Sequence, residues 1–316
     1  MIKDRNIDPA AGIQLSKIMG GGWGAPAAKT FYAIASGTNY AAWASSNISG
    51  NLQGNVIQDI IDDLCVDGQP DHILVGPRKW QENILIMDRP NITLTAMVEG
   101  WATQMRPSDG STKYTFTPVG GSAQPGVGIA ICSKAVTVQG FLFDGGGGYT
   151  GIYVGDGYVI STDYNENTAS ARIRNNVFRG GAEGTYGVVM DGCSDDVIVE
   201  GNIFRRNELA GIYITPGGAR TVQRPVIRNN EFIGQEVYGI DMYSSATTQG
   251  VLVKRNTFMD SIQAMTYGVR FQGAGKHALV GNWFACANKW SASSTDFISG
   301  NYGGNGADGA EVVSEA

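Results

Sequence analysis

Charge is scarce in this chain. Asp, Glu, Lys and Arg make up 16% of its 316 residues, and the formal balance is −6. An acidic balance offers no basic face for a phosphate backbone, so no nucleic-acid partner is expected. Histidine occurs only as His72 and His277, and the four cysteines, Cys65, Cys132, Cys193 and Cys286, lie far apart with no CxxC pair. Neither spacing suits a His/Cys metal site, and the cysteines read as reduced, mostly buried small hydrophobes. No metal and no cofactor is expected. No stretch of 18 apolar residues occurs, so no membrane span is expected. The start, "MIKDRNIDPAAGIQ", lacks the apolar segment of a secretory signal.

Glycine, in contrast, is abundant at 45 residues, which suits a fold of many turns. Much of it is periodic. Asn176, Asn202, Asn230, Asn256 and Asn282 stand 26, 28, 26 and 26 residues apart. Each is followed two residues later by phenylalanine: Phe178, Phe204, Phe232, Phe258 and Phe284. A second marker, "TGIYV", "YGVVM", "AGIYI", "YGIDM", "YGVRF", runs out of phase with the first, with glycines at 151, 187, 211, 239 and 268. Periods of 20 to 50 residues mean a solenoid or an array.

Segments such as "DVIVEGNIF" and "PVIRNNEF" alternate apolar and polar and are rich in Val and Ile, the pattern of short strands. No helix-length amphipathic segment separates them. Each cycle therefore holds two or three strands, and successive coils stack in parallel about 4.8 Å apart. The phenylalanines form one inward column and the asparagines another, with amides able to bond up the ladder. Asn175, Gly201, Asn229, Arg255 and Gly281, which precede the ladder, are expected to bend the strand, a task that suits Gly and Asn.

This pattern resembles the right-handed parallel β-helix of the pectate-lyase-like superfamily. The resemblance covers roughly 72–302, reaching back through "VTVQGFLFDG", where Phe141 takes the ladder position and Phe143 keeps the aromatic, and forward to "ISGNY" as a shortened last coil. The expected fold is all-β: a right-handed single-stranded parallel β-helix with a short N-terminal arm and an N-terminal capping helix. The expected divisions are an arm and glycine hinge over 1–24, a linker and capping region over 25–71, the β-helix over 72–302 and a flexible tail over 303–316. "NVIQDIIDDL" supplies the cap, with Val56, Ile57, Ile60, Ile61 and Leu64 on one face and Asn55 with Gln58 as a capping box.

The first 24 residues differ in kind. Asp8 is a helix N-cap and Pro9 the first helical residue; Ile13, Leu15 and Ile18 make a narrow apolar face, and "GGGWG" follows as a hinge. A short helix on a glycine linker must dock on something: its own domain, sister chains or another protein. Ile7, Ala10, Ala11, Ile13, Ser16, Lys17 and Ile18 resemble the N-terminal arm of tailed-bacteriophage fibre, spike and decoration proteins. That resemblance implies a virion protein assembled in the host cytoplasm and carried on the particle surface. It also implies a homotrimer, with the major capsid protein or another virion protein as partner.

Enzymes of the resembling architecture place catalytic groups on an outer sheet face. The residue after "G-[IV]" gives an outward column of Tyr153, Val189, Tyr213, Asp241 and Arg270. Tyr153, Tyr213, Asp241 and Arg270 form a candidate face for a bacterial surface glycan or a protein partner; the alternative is a solvated face with an ion pair between coils. A second outward column, Arg174, Glu200, Arg228, Lys254 and Val280, reads as a solubility device. Asp191, Asp195 and Asp196 in "DGCSDD" are a weak calcium candidate. The polar insertion over 155–171 is a candidate recognition loop. No catalytic constellation stands out, so a structural role is expected, decoration of a capsid foremost. A small tailspike or fibre that binds or cleaves surface polysaccharide, as a lyase or glycoside hydrolase, is the alternative.

Overall fold

A computed structural model describes residues 29–36, 39–43, 56–65, 68–99, 102–106, 126–144, 149–155, 168–180, 186–192, 194–215, 222–243, 248–260, 264–272, 276–292 and 295–303. The arm and hinge, Asn55, Cys193, residues 156–167 of the insertion and the tail beyond 303 lie outside the described residues.

The chain winds as a right-handed parallel β-helix with three long sheets, of eleven, eight and eight strands. One coil shows the plan. Val226–Arg228 lies in sheet 1, Glu231–Ile233 in sheet 2 and Tyr238–Met242 in sheet 3, and Leu252–Lys254 then returns to sheet 1 beside Val226–Arg228 in parallel register. Sheet 1 begins ahead of the expected 72. Thr30–Ser36 pairs in parallel with His72–Val75 and antiparallel with Asn39–Trp43. Phe31 and Ala33 face the core from that strand; with no ladder residue nearby, only a short alternation marked it.

The corner between sheets 1 and 2 carries the asparagine ladder. Asn230 Oδ1 accepts the main-chain N–H of Asn202 at 2.9 Å and its Nδ2 at 3.0 Å, while Asn230 Nδ2 donates to the Val199 carbonyl at 2.9 Å. The same exchange joins Asn176 to Asn202, Asn230 to Asn256 and Asn256 to Asn282, and Asn282 to Asn301 in the last coil. Phe141, which has no amide, enters the ladder with its main-chain N–H on Asn176 Oδ1. Each side chain thus satisfies buried backbone that the bend removes from the sheet ladders. The preceding residues Asn175, Gly201, Asn229, Arg255 and Gly281 all have left-handed backbone, with φ between 55° and 66°.

The phenylalanines stack in one file from Phe143 to Phe284, with ring centroids 4.7–4.9 Å apart and planes within 9° of parallel. The glycine marker exists because of that file. A Cβ on Gly211 would meet the Phe232 ring at 2.7 Å and the Gly239 carbonyl at 2.9 Å, and Gly151, Gly187, Gly239 and Gly268 press on Phe178, Phe204, Phe258 and Phe284 in the same way. The two sequence markers stay in phase because their residues touch.

The N-terminal end is closed by α1 (Val56–Asp59), which continues as a wider π-turn over Ile60–Leu64. Val56, Ile57, Ile60 and Ile61 are buried and Leu64 packs against the core. The capping box needs Asn55 and so lies outside the described residues. Gln58 turns to the first coil instead, where its amide accepts from the Leu85 N–H at 2.7 Å and donates to the Leu85 carbonyl at 3.0 Å, as a neighbouring strand would. Glu82, from that coil, accepts the N–H of Ile57 at 3.0 Å and of Gln58 at 3.3 Å. Burial pushes the Glu82 carboxyl up to about 8.

Candidate functional site

The column on the outer face of sheet 3 runs in register from Tyr153 through Val189, Tyr213 and Asp241 to Arg270. Its members do not share one environment. Tyr153 is 2% exposed and packs in an apolar cluster with Val127, Ala130 and Val189, against which Leu85, Tyr186 and Tyr213 lie; its hydroxyl donates to Asp191. Tyr153 is therefore withdrawn from an accessible binding face. Tyr213 remains half-buried, stacked on Tyr186 at 5.0 Å.

Asp241 and Arg270 form a two-pronged ion pair. Arg270 Nε and Nη2 donate to the two carboxylate oxygens at 2.7 and 2.6 Å. The guanidinium lies 3.9 Å above the Tyr238 ring, and with its amide oriented to satisfy both groups the Gln272 oxygen accepts from Arg270 Nη1 at 3.0 Å. The Asp241 hydrogen bonds hold the Arg270 cation above its ordinary range. A guanidinium occupied on three sides is a staple between coils, and a carboxylate held by both oxygens is no free base.

The second outward column is likewise closed upon itself. Arg174 donates to Gln139 at 2.6 Å, and Gln139 to Thr95 at 2.9 Å; Arg228 donates to Glu200 at 2.7 Å. Lys254 and Val280 continue the register. The acidic turn is dispersed among separate partners: Asp191 accepts from Tyr153 and Gly192, Asp195 from the Gln223 N–H, and Asp196 from Arg224.

Sequence reasoning missed a cleft at the corner between sheets 2 and 3, lined among others by Asp144, Tyr149, Arg179, Tyr186 and Asn207. Of these, Tyr186 opens the second marker, and Asp144, Tyr149, Arg179 and Asn207 belong to neither. The available signal was register: Arg179 and Arg205 follow Phe178 and Phe204 by one residue and so share an outward column.

One family model, described as periplasmic copper-binding protein (NosD), matches residues 148–305, half of the chain. No curated protein matches. Similar solved structures include endopolygalacturonase I from Stereum purpureum at 13% identity, covering 73% of this chain and 70% of that one with a TM-score of 0.38. ORF18 of Geobacillus virus E2 is 12% identical, with 81% of this chain and 58% of that one covered and a TM-score of 0.42. The tailspike protein of E. coli bacteriophage HK620 is 13% identical, with 87% and 70% covered and a TM-score of 0.36. None of the three is similar enough to lend this chain an activity.

Copper sites draw on imidazole, thiolate and thioether donors. Here His72 Nε2 is engaged with Thr95 Oγ1 at 2.8 Å, and buried His277 accepts the Val251 N–H through Nδ1. Cys65, Cys132 and Cys286 are buried apart from one another, and burial pushes each thiol up to about 12. Among the described residues no three His, Cys, Asp or Glu side chains converge. These donors do not fit a copper centre.

Proposed function

The chain belongs to the NosD family, and on that β-helical frame we propose a structural protein of a tailed-bacteriophage particle, a decoration or cement protein of the capsid surface. The observation that carries this reading is the arm. In the sequence, Ile7, Pro9, Ile13, Leu15, Lys17 and Ile18 are read as the docking residues, and "GGGWG" follows them ahead of a body with its own continuous core. The partner is the major capsid protein or another virion protein. The outer charged columns suit such a role, because their groups tie coil to coil and stiffen the body. In a homotrimer, three weakly held arms act together at high effective concentration.

The test is deletion of residues 1–24. The body is expected to keep its thermal transition and its β-rich circular dichroism while particle binding is lost; unchanged occupancy on purified particles sinks the anchor. Sedimentation of the full chain tests the trimer.

A small tailspike or fibre is the second reading, favoured by Tyr238 against Arg270 and by the stacked Tyr186 and Tyr213 on the same sheet. It separates cleanly: turnover of host capsular polysaccharide that disappears in Asp241→Ala would replace the structural reading with a lyase or glycoside hydrolase.

A further inference from the structure

Where the chain returns from sheet 3 to sheet 1, one column of residues stands just ahead of the strands of sheet 1. Ile92, Val136, Ala171, Val197, Pro225 and Val251 follow one another in it, each giving its carbonyl to the first strand residue of the next coil. All six are apolar and buried. The column then changes character: its last two members are His277 and Asp296.

His277 joins the coil before it to the coil after it. Its Nδ1 accepts the Val251 main-chain N–H at 3.3 Å. Its own main-chain N–H is given to Asp296 Oδ1 at 2.9 Å, and its carbonyl accepts the Phe297 N–H at 2.8 Å. A side chain thus takes the N–H of the preceding coil, as the asparagines do at the corner between sheets 1 and 2. The chemistry differs, because an amide oxygen does not titrate near neutral pH and an imidazole does. A ring nitrogen that accepts carries no proton, so the neutral ring holds its proton on Nε2.

The ring has little room for a charge. His277 is 1% exposed, its Nε2 has no hydrogen-bond partner among the described residues, and the Phe271 ring lies 5.0 Å away. From the last coil, Asp296 is the acidic group that acts on it. On its own segment Lys276 precedes it and is exposed. On sheet 3, Arg270 stands beside Phe271 and is committed to Asp241. The preceding coil presents Val251 to it, and that coil's Lys254 and Arg255 lie beyond, along the strand and its bend. Burial lowers the proton affinity of the ring, and Asp296 opposes that in part.

We propose that His277 is an acid-operated latch on the last coil. A proton taken from solvent onto Nδ1 occupies the lone pair that holds Val251 and leaves a cation in a buried site. The ring must move to reach water. Because the same residue holds Asp296 and Phe297 through its main chain, that movement releases the strand Phe297–Ser299 from sheet 1. Ile298, which packs on the core, and the rung from Asn282 to Asn301 go with it. Coils ahead of Val251 stay closed, since their asparagine rungs do not titrate. Closure is complete above about pH 6.5, the ordinary value of the group. Below it the open coil binds a proton that the closed one refuses, and closure weakens by up to about tenfold per pH unit. This goes beyond the virion reading and does not depend on it, because neither the arm nor a partner takes part.

The experiment uses the full-length chain with nitrogen-15 histidine, together with amide exchange corrected for its intrinsic pH dependence, from about pH 7.5 down to about pH 5. The His277 ring is expected to carry its proton on Nε2 at the upper end and to titrate below 6.5. Protection at Val251 and Phe297 is expected to fall across that range by up to about tenfold per pH unit, while Val226 and Glu231 in the central coils hold theirs. His277→Gln keeps an acceptor without a titration and is expected to flatten the response. His277→Val, the residue of the preceding coil, is expected to lower protection at Val251 equally at every pH. Asp296→Asn keeps the acceptor for the His277 N–H and is expected to move the ring's midpoint further down. His72→Gln, at the other end of sheet 1, is expected to leave the response at Val251 as it is. The proposal is overturned if His277 titrates at or above 6.5, if its neutral ring carries the proton on Nδ1, if Val251 and Phe297 lose no more protection than Val226 and Glu231, or if the response survives in both His277→Gln and His277→Val.

Discussion

At the corner between sheets 1 and 2, six asparagines from Asn176 to Asn301 satisfy the bent backbone with the same side chain used in the same way. At the N-terminal plug, Glu82 and Gln58 do the equivalent work once each, across 24 and 27 residues of sequence. The difference is between a repeated solution and a unique one. In a stack whose coils contact only their neighbours, stability is roughly a sum of local interfaces, so a damaged rung is felt over two coils. Damage to the plug removes the helix that, among the described residues, covers that end.

The repeated region breaks hardest at its aromatic file. Phe232→Ala empties a fully buried site between two stacked rings and is expected to cost about 3–5 kcal/mol, measured as the loss of denaturation free energy. Gly211→Ala attacks the same contact from the other side, since its Cβ would sit 2.7 Å from that ring. The double variant is expected to be less damaged than the sum of the two, because the ring that clashes is gone; strict additivity would show that the glycine is kept for another reason. Asn230→Ala comes next. It strips the acceptor from two buried donors of Asn202, at a cost of about 1–3 kcal/mol per group left unsatisfied. Hydrogen exchange should accelerate first at Asn202 and Ile203.

The plug responds to pH where the ladder does not. The Glu82 carboxyl is raised from 4.5 to about 8 by burial, so the unfolded chain loses its proton well before the folded one does. Its contribution is complete below about pH 4.5 and is lost as pH rises through about 8, by at most about 1.4 kcal/mol per pH unit within that window. Glu82→Gln keeps an acceptor for the α1 N–H groups and removes the titration. Exchange at Ile57 and Gln58 should therefore quicken between pH 5 and 8, as ordinary base catalysis alone does not explain, in the parent and not in Glu82→Gln. Identical corrected profiles would remove Glu82 from the cap.

Legibility in the sequence follows the same division. The files were legible because one residue type recurs at a near-constant interval, and the outward columns because alternation carries register along a strand. The contact between Gly211 and Phe232 was not, since the two markers are read separately and only coiling brings them together. The bonds of Glu82 and Gln58 between the plug and the first coil left no trace, because a single long-range pair has no repeat to announce it. Tyr153 stood in the right column, yet its exposure depends on what overlies the sheet, and no register rule contains that. The cleft between sheets 2 and 3 borders both markers, at Phe178 and at Gly151 and Gly187, and only coiling brings them to one corner.

The smallest expected effect tests whether the repeat is optimal at every rung. Arg255 holds φ 55° at the position where Gly201 and Gly281 stand in other coils. A side chain in left-handed backbone costs about 1–2 kcal/mol, while glycine loses about 0.5–1 kcal/mol through its freer unfolded state. Arg255→Gly should thus stabilise the chain by about 0.5–1 kcal/mol, the difference between those two. Gly281→Ala is the mirror experiment: nothing lies closer than 3.9 Å to a Cβ there, so only backbone strain acts, and a loss of similar size is expected. Opposite signs in the two denaturation curves would show that the bend is set by backbone conformation and tolerates an arginine at a cost. If Arg255→Gly is destabilising instead, the Arg255 side chain makes a favourable contact that outweighs its strain, and the ladder's preceding position is chosen rung by rung.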